Sequence, residues 1–145
     1  LNAPTDWTRR ATAAFRNTQR ALTGVVARCG AGSGGVIATL RLRLKNPVLA
    51  KQQIASVIES LCALPLVTGA AYCRTDGEAS AGRTAESATR TDIETPPEHV
   101  ILIETCTADA ARAAAVHATT RLAMQLDGPV ETGVYHLEFT LAKAA

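Results

Sequence analysis

Five side chains combine ionic or acid–base chemistry with positions from which a β-sheet could present them: Arg41, Arg43, Tyr72, His136 and Glu138. A histidine two residues from a carboxylate suits proton transfer. His titrates near neutrality, and alternate side chains of a strand point the same way. Arginines spaced by two on another strand offer two planar guanidinium forks to an anionic substrate, and a tyrosine hydroxyl adds a donor. On this reading His136 and Glu138 form the catalytic pair, while Arg41, Arg43 and Tyr72 bind. A plainer reading stands beside it: a solvated or subunit-facing polar surface, on which Arg41 or Arg43 pairs with Glu138 across neighbouring strands.

Other reactive residues carry less. His117 lies in a helical stretch near Val116 and Thr120, with no second ligand at metal-binding spacing. It reads as an exposed or satisfied histidine. His99 follows Pro96-Pro97-Glu98 and opens a strand, and no local motif supports a Ser or Cys nucleophile. Cys29, Cys62, Cys73 and Cys106 are never closer than 11 positions and form no C-x-x-C pair, so neither a zinc site nor any other metal or cofactor is expected. Three lie in apolar runs, where Cys acts as a small core residue, and the four are expected as reduced thiols in a cytoplasmic protein. Gly30-Ala31-Gly32-Ser33-Gly34-Gly35 follows a helical pattern and precedes a strand, the reverse of a phosphate-binding loop, and lacks its lysine. It reads as a linker.

The elements that must position these residues follow from periodicity. With 145 residues, 47% of them apolar, the chain has the length of one domain with a core of its own. One Trp, two Tyr and two Phe are too few aromatics for a nucleic-acid stacking surface. Arg9, Arg10, Arg16, Arg20 and Arg28 outweigh Asp6 in the first 28 residues, yet they are spread around a helix and read as a solvated face. Nucleic acid is therefore not an expected partner. Nor is a membrane, since no run approaches about 18 apolar residues and no signal peptide opens the chain. The start at Leu1 rather than Met reads as a trimmed chain or as a piece of a longer polypeptide.

Thr5 or Asp6 caps a helix predicted over residues 1–29, with Trp7, Ala11, Ala14, Phe15, Leu22, Val25 and Val26 along its stripe. Residues 30–35 form the linker and residues 36–145 the main domain. Leu40, Leu42 and Leu44 alternate with Thr39, Arg41 and Arg43 on a first strand, Val36–Leu44. Asn46-Pro47 starts a helix with Ile54, Val57, Ile58 and Leu61 on one face. Strands over 67–74 and 99–106 flank a long polar loop at 75–98. Thr107 caps a helix to Leu126, with Val116, Ala123 and Leu126 as its stripe. In a last strand, 132–141, Tyr135, Leu137, Phe139 and Leu141 face the helices.

The order β-α-β-β-α-β predicts an α+β, ferredoxin-like sandwich: both helices on one face of a four-stranded antiparallel sheet, preceded by the separate N-terminal helix. The uncovered face then collects Thr39, Arg41, Arg43, His136, Glu138 and Thr140, joined by Glu104.

The phrases Val36-Ile37-Ala38-Thr39-Leu40-Arg41-Leu42, Ala63-Leu64-Pro65-Leu66-Val67-Thr68-Gly69-Ala70 and Val100-Ile101-Leu102-Ile103-Glu104 resemble the dimeric α+β barrel superfamily over residues 35–143. The resemblance implies that two modules pair their sheets, as a homodimer or within a tandem repeat, and can enclose a small molecule. Members include cofactor-independent monooxygenases, haem-degrading enzymes and haem-dependent dehydratases, but none of their catalytic residues maps onto this chain. The leading helix, with Trp7-Thr8-Arg9-Arg10 and Phe15-Arg16-Asn17-Thr18, looks like the end of a preceding module. Two function classes follow: a small-molecule-binding, monooxygenase-like protein using the cavity over the open face, or a non-enzymatic assembly module.

Overall fold

The computed structural model describes residues 5–13, 19–30, 33–82 and 95–138. The amino-terminal region departs from the predicted helix. Among the described residues helix α1 covers Asp6–Ala13, and Thr23–Gly30 is a strand, β1. Thr23, Val25 and Val26 are β-branched, and Gly24 and Gly30 are poor helix formers. Local preference is thus for extended chain once a sheet edge is there to receive it. The elements that follow are β2 (Val36–Leu42), α2 (Pro47–Cys62), β3 (Val67–Thr75) and α3 (Gly77–Ala81). They continue as β4 (His99–Thr105), α4 (Ala108–Leu122), a 3-10 turn (Ala123–Gln125) and β5 (Glu131–His136).

The strands lie in the order β1-β3-β4-β2-β5, each antiparallel to its neighbours. From β2 onward the strands and main helices run β-α-β-β-α-β as predicted, with the short α3 between β3 and β4. Among the described residues, however, the sheet has five strands, not four, because β1 adds outside β3. The glycine-rich stretch is therefore a connection between two strands of one sheet. Gly30 has φ 76°, and a Cβ there would collide with the Thr68 carbonyl oxygen. Only glycine lets β1 close onto the start of β3 at this point. The predicted helix residues Ala14 and Phe15, residues 83–94 of the 75–98 loop, and Phe139 to Leu141 lie outside the described residues.

Local signals set the two main helices. Asn46 Oδ1 accepts from the Val48 and Leu49 amides at 3.1 Å, and Pro47 takes the first helical position. α2 buries Ala50, Ile54, Val57, Ile58 and Leu61 against the sheet. Thr107 caps α4 by accepting from the Ala110 amide at 3.2 Å. Its buried stripe corrects the predicted one. Ala111, Ala114, Ala115, Ala118 and Leu122 face inward, whereas Val116 is 66% exposed, Ala123 is exposed and Leu126 half-buried. Alanines on several faces blur the apolar period of α4, and a stripe of small side chains lets the helix sit close to the strands.

Both helices cover the same face, over Val36, Ala38, Leu40, Leu42, Ala70, Tyr72, Ile101 and Ile103. An Ala114→Leu substitution would force three further carbons into that seam. It is expected to destabilise the fold by about 1–3 kcal/mol in urea unfolding, with an unchanged far-ultraviolet spectrum. Unaltered stability would mean that the α4 seam is loosely filled.

Cys29 of β1 and Cys62 at the end of α2 are joined by a disulfide, with Cα atoms 6.3 Å apart. This corrects the expectation of four reduced thiols. Cys73 is a buried free thiol and Cys106 an exposed one. The bridge spans 33 positions, so the chain-entropy constraint is worth about 3.7 kcal/mol. Disulfides persist in oxidising compartments, so the thiol argument for a cytoplasmic location no longer holds. Among the described residues, no helix is long and apolar enough to cross a membrane.

Candidate functional site

Residues directly opposite in an antiparallel pair share a face, so the pairing register maps the uncovered side of the sheet as three rows across five strands. One row reads Gly30, Gly69, Glu104, Ile37 and Tyr135; the next Arg28, Ala71, Leu102, Thr39 and Gly133; the third Val25, Cys73, Val100, Arg41 and Glu131. Its middle is apolar: Ala71, Leu102, Val100 and Ile37 are only partly buried, and among the described residues no helix lies over them. Arg28 and Arg41 balance Glu104 and Glu131 around them.

This map redistributes the predicted site. Arg41 is on the open face as predicted, half-buried and opposite Glu131. His136 is not: it stands opposite Val36, on the helix-facing side at the end of the sheet, exposed. Five β2 positions separate it from Arg41's partner, roughly 17 Å at strand spacing. The two therefore cannot act on one small molecule. Glu138 is exposed beyond β5, and Tyr72 is buried on the helix side.

Tyr135 takes the open-face place expected of His136, with its ring over Gly133, where a Cβ would collide with the tyrosine hydroxyl. The sequence period misleads here because Tyr135, Leu137, Phe139 and Leu141 alternate as a core strand would. Val134 is the residue that packs on the core, opposite Ala38. A shift of one residue exchanges the faces. A glycine two positions before an aromatic is the available signal, since bare backbone on a strand face is commonly covered by a neighbouring ring.

Arg41 and Arg43 do come together. They line a cleft of about 330 Å³ at the rim of the open face, with Asp127 and Glu131 opposite and Gln19 beside them. Arg41 Nη1 donates to Gln19 Oε1 at 3.0 Å, and its Nε lies 3.5 Å from Glu131 Oε2. That second contact is an ion pair without hydrogen-bond geometry, so Nε is buried with no acceptor among the described residues. Arg43 is exposed, and its backbone carbonyl accepts from the Asp127 amide at 2.9 Å, which holds the cleft wall to the end of β2. Two guanidinium groups facing two carboxylates suit a small polar ligand with an anionic group.

A second constellation is buried. Tyr72 Oη and His99 Nδ1 are 2.9 Å apart, with the rings stacked. His99 Nε2 has no hydrogen-bond partner among the described residues, the Glu98 carboxylate lying 3.9 Å away. Thr75 ties the preceding segment to β3: its amide donates to the Glu98 carbonyl at 3.0 Å and its hydroxyl to the Pro97 carbonyl. Burial pushes His99 below the usual imidazole value of 6.5; Glu98 opposes this shift and Arg74 adds to it. Burial likewise raises the Tyr72 hydroxyl. Both groups are thus neutral near pH 7 and serve as a clamp between β3 and β4.

The native state refuses a proton that the unfolded chain accepts. His99's contribution is therefore complete above pH 6.5 and declines as the pH falls below it. Urea unfolding at about pH 7.5 and about pH 5.5 should show that decline, and a His99→Phe variant should lose much of it. An equal decline in the variant would remove His99 as its source.

His117 Nε2 lies 3.1 Å from Ser60 Oγ, but the bonding is not that of a nucleophile and its base: Ser60 donates its own proton to the Val57 carbonyl at 2.8 Å. The imidazole must then donate, which makes the contact a tie between α2 and α4. His136 lines a separate depression of about 270 Å³ with Val36, Ile37 and Glu104. Glu104 accepts from the Gly34 amide at 3.3 Å there. Among the described residues, no three His, Cys, Asp or Glu side chains converge as metal ligands would. Comparison with known proteins finds no match among family models, curated proteins or solved structures.

Proposed function

We propose that the chain is a ferredoxin-like assembly module that pairs its open sheet face with a second copy of itself, as dimeric α+β barrels do. The observation that carries this reading is the apolar middle of the face, Ala71, Leu102, Val100 and Ile37, over which none of the described helices packs. Sheets stack about 10 Å apart when such faces meet, and each removes the other's apolar side chains from water. Five strands about 4.8 Å apart and some seven residues long give a face on the order of 600 Å², near the roughly 800 Å² per partner of standard interfaces. Its charges balance, so two copies meet without net repulsion. Sedimentation equilibrium should show a monomer–dimer equilibrium. A chain that stays monomeric up to about 100 μM would overturn the reading.

A second reading rests on a different observation, the buried Nε of Arg41 without an acceptor beside the Arg43 cleft. There the module would take up a small anionic molecule at the rim of the paired sheets. Asp127 and Glu131 are the carboxylates at that cleft, and oxygenase-like chemistry of the kind the resemblance implies would have to draw on them. Thermal-shift screening with carboxylates and phosphate monoesters tests it. A hit lost in Arg43→Ala supports the cleft, and a hit that persists places binding elsewhere.

A further inference from the structure

We propose that the Cys29–Cys62 disulfide is a redox-operated latch on β1, and that its reduction frees the edge of β3. The strand is built to detach. Thr23, Gly24, Val25, Val26, Arg28 and Gly30 are exposed; only Ala27 and Cys29 are partly buried against the core, and no fully buried core residue comes from β1. α4 packs on β2, β3, β4 and β5, while α2 packs on β3 and also along β1, whose side chains against the core are the partly buried Ala27 and Cys29.

β1 is held by its contact with α2 and by a ladder to β3, interrupted between Val25 and Ala27, with a fastening at each end. At its start, the Leu22 carbonyl accepts from the Asp76 amide at 2.9 Å, and the Leu22 amide donates to Ser80 Oγ at 2.9 Å. Leu22 and Asp76 are exposed, so water competes for these bonds. At its end, Cys29 is bonded to Cys62, the last residue of a helix anchored by the buried Ile58 and Leu61. The disulfide is a covalent fastening, and it joins the weakly held strand to the firmly held helix.

Both cysteines are partly exposed, so a reductant of the protein-dithiol class can reach the bridge. A thiolate of the dithiol attacks one sulfur and forms a mixed disulfide. Its second thiol then displaces the protein sulfur. Two electrons and two protons pass to Cys29 and Cys62, which become thiols, and the dithiol leaves as a disulfide. Loss of β1 would bare the backbone donors and acceptors of Gly69 to Thr75 that β1 now pairs, a template for an incoming strand. The latch stands apart from the assembly reading, although β1 does carry Val25 and Arg28 of the open face.

Amide hydrogen exchange on the full chain, with and without a dithiol reductant, tests the latch. Reduction is expected to accelerate exchange of the β1 amides, and of the β3 amides that bond to them, on the order of 100-fold. The amides shared by β2 and β4 should lose at most the bridge's contribution to global unfolding and remain clearly better protected than those of β1. A Cys29→Ser/Cys62→Ser variant should behave as the reduced protein in either buffer. If β1 protection survives reduction, the ladder alone holds the strand and the proposal falls. If β1, β2 and β4 fall to one common level of protection, β1 opens only with the whole fold, and the proposal falls equally.

Discussion

A Leu102→Glu variant is expected to fold as the parent does and to self-associate at least about 100-fold more weakly, a difference of about 2.8 kcal/mol. Leu102 sits at the middle of the open face, with Ala71 and Thr39 opposite it on either side. Pairing with a second sheet would bury it. A carboxylate there loses its hydration, with the diagonal Arg41 already engaged by Gln19 and Glu131, at a cost of several kcal/mol, and the leucine's own burial of about 1.5–3 kcal/mol is lost as well.

The helix-facing side is untouched by this change, so unfolding should move little. Sedimentation equilibrium together with a thermal melt reads both quantities. Undiminished association in a folded variant would show that this face is not the interface. Should Leu102→Glu fail to fold, Thr39→Arg at the adjoining position carries the same test.

Truncation of Leu40 to Ala is expected to cost about 3–5 kcal/mol. Leu40 is fully buried and lies opposite Ile101 in β4 and Thr132 in β5, within the core closed by both helices. Removing three carbons there loses their transfer energy and leaves a cavity that rigid strands on both sides cannot close. Domains of this size hold roughly 7–20 kcal/mol in all, so the variant should unfold at visibly lower urea with an unchanged slope. Leu49, exposed on the first turn of α2, is the control, and its Ala variant should stay within about 0.5 kcal/mol of the parent. A Leu40→Ala cost below about 1 kcal/mol would contradict the packing of the helices on β2.

The candidate site is legible in the sequence in part. Arg41 and Arg43 stand out because the chain from Thr39 to Leu44 alternates polar and apolar, and this sets them apart from Leu40, Leu42 and Leu44 without knowledge of any pairing. The Tyr72–His99 clamp leaves no such trace. Its two residues are 27 positions apart, and only the diagonal contact between β3 and β4 brings the hydroxyl to the imidazole. His136 and Tyr135 show the opposite failure, a clear period that points to the wrong face.

These cases share a physical cause. Asn46-Pro47, Thr107 and the alternation from Thr39 to Leu44 act over three or four residues, through caps and through one side chain's choice between water and core. The chain encodes them locally, and with them the β-α-β-β-α-β order. The strand character of Thr23–Gly30, the phase of β5, the alanine face of α4 and the Cys29–Cys62 bridge depend instead on which distant backbone offers hydrogen bonds and which surface lies close enough to fill. Local period cannot carry that information. It is decided when β3 accepts β1, when β2 sets the register of β5, and when the end of α2 comes to rest beside the edge of the sheet.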